Sequence, residues 1–263
     1  MSIIGAAFVP HTPLLLPTVD PKHATLLRPL HNAYAVFTQW VHALQPDVII
    51  CCNPHALSVG NAFTFNLTKH FTATFETLGD LTTTVQFSGT PKFTYQLKEH
   101  HETHLPIALS HETHVNYGIG IPALLLHGLP RQPSWVELSS RHSTPADHVQ
   151  FGMHLQEQLV NARERILLLA SGEITTRVGE TTSEKSESAG TFLAQWLASA
   201  RHGTLETFLM QTRATLADDV QSCGTWSLAQ LVGMLHSIRV VPNELYTGTP
   251  FGVAYQLLTW QPK

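Results

Sequence analysis

The chain has 263 residues, 43% of them apolar, which is enough for one large domain with a buried core. Charged side chains make up only 13%, and the formal charge is −4 with neutral imidazoles. No Lys/Arg-rich run offers a footprint for nucleic acid and no basic amphipathic stretch addresses a membrane surface. The longest apolar runs, Val48 to Cys52 and Ile166 to Ala170, fall short of the roughly 18 residues of a spanning helix.

Histidine is the outlier: 17 imidazoles stand against 15 Lys+Arg. Because imidazole titrates near neutrality, either the protein responds to pH or some of these side chains hold a metal. Three cysteines, two of them adjacent (Cys51, Cys52), make no disulfide framework and suit a reducing compartment. The start of the chain shows no basic leader region, so the expected location is the cytoplasm.

In chain order, Ser2 to Val9 reads as an apolar strand closed by Pro10, placing His11 just past a strand end. Asp20-Pro21 signals a helix start, and Leu26, Leu27, Leu30, Ala33, Val36, Trp40 and Leu44 follow at helical spacing. Val48 to Cys52 is a β-branched buried strand that Asn53-Pro54 stops directly before His55. This β-helix-β unit predicts adjacent parallel strands with both histidines on the carboxyl rim, where ligands collect in open α/β sheets.

Ala62 to Leu67 and Leu81 to Phe87 read as one-face-buried strands, Thr90-Pro91 starts a helix to about His101, and Leu105 to Leu109 and Ile119 to Leu126 read as further strands. Thr144-Pro145-Ala146-Asp147 opens a helix to about Ala162, and Arg165 to Ala170 is another buried strand ending at Ser171-Gly172-Glu173. The polar tract Gly179 to Ser188 reads as a mobile loop, a candidate lid. Helices over Ala189 to Ala200, Leu205 to Val220 and Trp226 to Ile238 and a last strand from Gly252 to Trp260 complete one α/β domain over residues 1–263, with a central, mostly parallel sheet flanked by helices.

His11 and His55 offer neutral nitrogen ligands for iron, zinc or copper on loops stiffened by proline; the alternative is that each caps a turn. In the cluster His100, His101, His104, His111 and His114, the i, i+4 pair His100/His104 could share an ion only if the helix extends that far, and a solvated helix end is the plainer reading. Cys51 and Cys52 point to opposite faces of a strand, and Phe192, Trp196 and Trp226 read as core.

The opening Gly5 to Pro17, the segment Pro46 to His55, Tyr117-Gly118-Ile119-Gly120-Ile121-Pro122, Ser171-Gly172-Glu173-Ile174, Cys223-Gly224 with Leu231 to Leu235, and Pro250 to Tyr255 together resemble the class III extradiol ring-cleavage dioxygenase catalytic subunit (LigB-like) superfamily, which also contains the Memo proteins. The resemblance implies an oxidoreductase that opens a catechol-type aromatic with dioxygen at a ferrous iron, zinc or copper being alternatives. Its two histidine ligands fall on His11 and His55. The third ligand best matches Cys223, with Glu173 and Glu244 as carboxylate alternatives.

A helix N-terminus would lower the Cys223 thiol pKa and favour ligation, whereas a buried core cysteine would be inert. Where the family carries an acid/base histidine after Ser171-Gly172, this chain has Thr175-Thr176. A second family histidine falls on or near Tyr117, leaving His114 as the nearby acid/base candidate. Losing a positioned acid/base typically costs about 10²–10⁴ in rate, so a divergent dioxygenase and a Memo-like binding or redox protein both remain open. The expected partners are a small aromatic substrate and dioxygen, with no nucleic acid and no membrane, and a homo-oligomer left open.

Overall fold

The computed structural model describes residues 2–16, 18, 24–178 and 184–263. The elements in order are β1 (Ile3–Val9), α1 (Ala24–Leu44), β2 (Val48–Asn53), β3 (Phe63–Asn66), β4 (His70–Phe75), β5 (Asp80–Ser88), α2 (Pro91–His101), β6 (Ile107–Ser110), β7 (His114–Val115), α3 (Tyr117–Leu126), β8 (Ser134–Ser139), α4 (Pro145–Leu159), β9 (Ile166–Ser171), α5 (Glu184–His202), α6 (Leu205–Gln211), α7 (Ala214–Asp219), α8 (Gly224–Met234), β10 (Val240–Gly248) and β11 (Tyr255–Pro262).

Strands whose side chains are apolar in unbroken runs, such as Ile3 to Val9 and Ile166 to Ala170, have no face that can meet water and must lie between two layers. They form the middle of an eight-stranded sheet ordered β10-β11-β1-β9-β2-β8-β3-β6. Its central four strands, β1, β9, β2 and β8, are mutually parallel; β11 pairs antiparallel with both β10 and β1, and β3 antiparallel with β8. Ala6, Phe8, Ile50, Cys52, Leu168 and Ala170 face one layer with α4, α5, α6 and α8, and Phe8 packs on Trp196 with ring centroids 5.4 Å apart. Ala7, Val9, Ile49, Cys51, Leu167 and Leu169 face the other, covered by α1, α3 and a small β5-β4-β7 sheet. Cys51 and Cys52 therefore belong to different cores, as strand alternation requires.

Several expectations are corrected. Ile119 to Leu126 is not a strand but the buried helix α3, started by the Asn116 side chain accepting from Gly118 N–H. A short, wholly apolar run has no periodicity by which to tell the two apart. The α1 stripe is rotated: Tyr34, Phe37 and Val41 are buried, while Leu26 and Val36 are about half exposed. Leu205 to Val220 is two helices, α6 and α7, and β4, β8 and β10 are additional strands. β3 is buried throughout rather than on one face. Helix α2 stops at His101, so His104 is off the helix and the i, i+4 pair does not form. The start signal Asp20-Pro21 and residues 179–183 lie outside the described residues, and Glu184 to Ser188, expected in a loop, open α5.

The most consequential difference concerns topology. β1 and β2 are not neighbours, because β9 runs between them, parallel to both. Three strand ends, rather than two, thus meet at one point of the carboxyl rim.

Candidate metal centre

Each of the three strand ends supplies a side chain. Beyond β1, the Tyr34 hydroxyl donates to Pro10 C=O and Tyr255 OH donates to Thr12 Oγ1 at 3.2 Å, tying down the residues either side of the fully buried His11. At the end of β9, Ser171 Oγ donates to Gly118 C=O at 2.6 Å and stands 3.0 Å from His11 Nδ1. A hydroxyl has one proton. With that proton on Gly118, Ser171 can only accept from His11 Nδ1–H, which turns His11 Nε2 toward the site.

Two residues on, Glu173 Oε2 lies 2.9 Å from His11 Nε2 and 2.9 Å from Cys223 Sγ, and Cys223 Sγ is 3.5 Å from His11 Nε2. Cys223 arrives from across the molecule, at the residue before α8, through an approach only glycine permits. A Cβ on Gly172 would fall 2.4 Å from Gly224 Cα, and one on Gly224 would fall 2.7 Å from both Glu173 O and the Phe8 ring. Gly224 N–H then donates to Glu173 C=O at 2.9 Å and Glu173 N–H to Cys223 Sγ at 3.2 Å.

His55 comes from the loop after β2. Its backbone N–H donates to Asn53 Oδ1 at 3.1 Å, its C=O accepts from Asn116 Nδ2 at 2.6 Å, and its Nε2 is 3.1 Å from Tyr117 OH. The His11 and His55 ring centroids are 4.9 Å apart, and each ring lies about 5 Å from Tyr117. Donor atoms of His11, His55 and Cys223 fall within 4.8 Å of one another, the one such grouping among the described residues.

Burial would raise the Glu173 carboxyl, but the His11 charge and hydrogen bond, Cys223 and His55 together hold it below the ordinary range. Burial and the Glu173 charge push the Cys223 thiol well up, which corrects the expectation that the helix N-terminus would dominate. Loss of water around the His55 ring, reinforced by His11 and opposed by Glu173, lowers its imidazole to about 4. Burial, then the negative charge of Glu173, lifts Tyr117 to about 12, so its phenol keeps its proton.

The donor set fits a divalent first-row metal: two imidazoles, a thiol that ligates as thiolate, and a carboxylate. The Glu173 contacts make the fit specific. With His11 Nδ1–H committed to Ser171, the close His11–Glu173 and Cys223–Glu173 contacts must each be bridged by a proton, and a cation at this point would replace both.

Beside these groups opens a cleft of about 350 Å³ lined by His55, Tyr117, Glu173, Thr176, Cys223 and Trp226. Trp226, expected in the core, is half-buried and forms a wall. Thr176 donates to Gln221 Oε1 at 2.6 Å. A larger cleft of about 830 Å³, reached by Thr90, Gln158 and Arg163, lies at the opposite rim, since Asn161 to Glu164 precede β9.

His114 is not brought to the cleft. Paired with Thr72 on β7 it is exposed, its Nδ1 3.2 Å from Thr113 Oγ1, while the next residue, Val115, turns inward; Tyr117 reaches the cleft instead. Glu244 is on the edge strand β10, accepting from Gln256 Nε2 at 2.8 Å, away from the other candidates. Sequence reasoning read Ser171 only as the end of a strand and missed that it fixes the His11 tautomer. The spacing Asn53-Pro54-His55 carries a usable signal, since Asn side chains commonly bond the backbone two residues on.

The chain is similar, at 15% identity and a TM-score of 0.66 over 97% of its length and 99% of the other, to the crystal structure of uncharacterized protein JW3007 from Escherichia coli K12, a likeness of fold. It is also 20% identical over 270 residues to Protein CA_C1420 of Clostridium acetobutylicum, covering 98% of this chain but spanning only 57% of that relative. No described helix is long and apolar enough to cross a membrane. Residues 5–258, which carry all three strand ends and Cys223, match the family described as the catalytic LigB subunit of aromatic ring-opening dioxygenase, and the chain belongs to that family.

Proposed function

We propose that this protein is a metal-dependent oxidoreductase that opens the ring of a catechol-type aromatic with dioxygen, holding ferrous iron through His11, His55 and Cys223 with Glu173 alongside. The observation that carries the proposal is the convergence of donor atoms of His11, His55 and Cys223 within 4.8 Å beside an aromatic-walled cleft, in a chain of the LigB family. When bound, the iron supplies the redox chemistry that lets dioxygen react with the ring. Zinc or copper would suit the donors as well.

The remaining roles fall to the protein. Tyr117 and Trp226 present aromatic surface to a substrate ring. Glu173, deprotonated at neutral pH, is placed to take a proton from a diol hydroxyl, and Tyr117, which retains its proton, is placed to donate one. Both atoms of one dioxygen enter the product as one ring carbon–carbon bond breaks, so no external reductant is consumed.

The test is anaerobic loading with ferrous iron followed by a panel of catechols, read by oxygen uptake and the yellow ring-opened product. Uptake in the wild type and none in a His11→Ala/His55→Ala double variant is expected. Stoichiometric iron with no uptake across the panel would overturn the dioxygenase reading. It would favour the second one, a Memo-like binding or redox protein, to which Cys223 as a donor and Thr176 in place of a histidine point.

A further inference from the structure

Glu137 is a carboxylate in the middle of a buried strand, 4% exposed, beside Cys51 of β2. Burying an ionised carboxyl is costly unless every lone pair is used. Its two oxygens are held by amides: Oε1 accepts from Asn53 Nδ2 at 2.8 Å and Oε2 from Asn66 Nδ2 at 2.9 Å. The cleft does not reach it, and none of the chemistry proposed above uses it.

Asn53, fully buried, passes the connection on. Its Nδ2 also donates to Asn116 Oδ1 at 3.1 Å, and its Oδ1 accepts from His55 N–H. Asn116 uses the same Oδ1 to cap α3 through Gly118 N–H at 2.8 Å and its Nδ2 to hold His55 C=O. The backbone of His55 is therefore gripped on both sides by side chains, one of which, Asn53, is held in turn by Glu137. The packing leaves no slack, since a Cβ on Gly118 would fall 2.1 Å from Asn53 Oδ1. From Gly118 C=O the same network runs through Ser171 to His11 Nδ1.

Asn116 takes its direction from the backbone groups it bonds, Gly118 N–H and His55 C=O, and Asn53 takes its direction from Glu137 at one end and His55 N–H at the other. An amide can turn over, exchanging its donor and acceptor ends. A carboxylate only accepts. Facing Asn53, it forces the NH₂ group toward β8 and so the Oδ1 toward His55 N–H; turned over, Asn53 would oppose its NH₂ to that N–H.

We propose that Glu137 is a positioning residue of the metal centre, fixing the Asn53 amide so that, with Asn116, it holds the exposed His55 loop ready for a metal. This rests on the metal-centre reading above, and its test can separate the two. Cobalt(II) and zinc(II) are titrated into wild type, Glu137→Met and Asn66→Ala, with chelator competition for affinity and cobalt absorption for ligation. Thermal melting is followed in parallel. Glu137→Met removes the acceptor from Asn53, whereas Asn66→Ala frees the other carboxylate oxygen, Oε2, and leaves the Glu137–Asn53–His55 links in place.

Partners outside the ligand shell are typically worth about 10–100-fold in metal affinity, so Glu137→Met is expected to bind that much more weakly while Asn66→Ala stays within about threefold of wild type, although both melt earlier. Equal affinity in wild type and Glu137→Met, or an equal loss in Asn66→Ala, would overturn the positioning role. If the wild type takes up neither metal, the proposed function falls. The network is then judged in the metal-free protein by imidazole ¹⁵N shifts. A His55 signal that moves or broadens in Glu137→Met but not in Asn66→Ala supports it; unchanged His55 shifts overturn it. Should Glu137→Met fail to fold, Asn53→Asp, which loses the NH₂ link to Glu137 but keeps an oxygen to accept from His55 N–H, is read the same way.

Discussion

The two histidines at the centre are held by different means. His11 is built into the core: fully buried, flanked by Tyr34 and Tyr255 contacts, its tautomer set by a serine on the neighbouring strand. His55 stands on an exposed loop and is held mainly by its backbone, through two asparagines. The first is fixed by the packing that stabilises the whole fold. The second is fixed by a polar network that adds little apolar burial, so its geometry can change without unfolding the protein.

The largest expected effect lies on the core side. Gly172→Ala would press a methyl group into the Gly224 backbone, which has no rotamer to yield. Overpacking of this kind costs about 3 kcal/mol or more when backbone must move, and it would push Cys223 away from Glu173. A much lower melting temperature is expected, and an unchanged one would show that β9 and α8 are not locked together as described.

The histidine pair tests the contrast itself. His11→Ala leaves a buried cavity and takes from Ser171 Oγ the N–H it accepts, and is expected to cost about 2–4 kcal/mol. His55→Ala changes an exposed side chain and should stay within about 0.5 kcal/mol. Both should abolish metal uptake. Equal destabilisation by the two, measured by denaturant unfolding, would break the comparison.

A third histidine supplies a stability effect of similar size that leaves the metal donors untouched. His148, in α4 under Trp226 and Phe63, has its Nδ1 2.9 Å from Thr144 C=O and its Nε2 accepting from Arg141 N–H at 3.3 Å, an arrangement only the neutral ring allows. Burial, with the Arg141 charge assisting and the Thr144 carbonyl and Asp147 opposing, lowers it to about 4. The unfolded chain, near 6.5, therefore takes up the proton first. The stability is complete above that pH and is lost as pH falls toward 4, by about 3 kcal/mol. His148→Gln should reduce the loss over this window, leaving the share that His55 contributes; an unchanged slope would mean the ring is not held neutral.

What the sequence made legible follows from the same contrast. β1, β2 and β9 announce themselves because strands buried on both faces are apolar without interruption. His11 and His55 could be named because each follows a proline that closes such a strand, whereas Cys223 was named through the family resemblance alone. The insertion of β9 between β1 and β2 was not legible, since strand order is set by long-range pairing that leaves no local mark. β8 mixes Ser134, Trp135 and Glu137 in a buried strand, so its pattern obscures it and hides the carboxylate on which the asparagines depend. Trp226 looked like core because helical spacing locates an apolar residue on a face without saying whether a cleft has opened over it.

The smallest expected effect concerns Thr176. It occupies the place where a proton-exchanging histidine was looked for, lines the cleft, and gives its hydroxyl proton to Gln221. A threonine hydroxyl does not exchange a proton near neutral pH, and this hydrogen bond joins two partners at the protein surface. Thr176→Val therefore removes one exposed hydrogen bond and nothing that the metal or the ring requires. Stability should change by no more than about 0.5 kcal/mol, with metal affinity and oxygen uptake unchanged. A fall in uptake of tenfold or more, the low end of what general acid–base catalysis contributes being about a hundredfold, would move the proton transfer assigned to Glu173 and Tyr117 onto the Thr176–Gln221 side of the cleft.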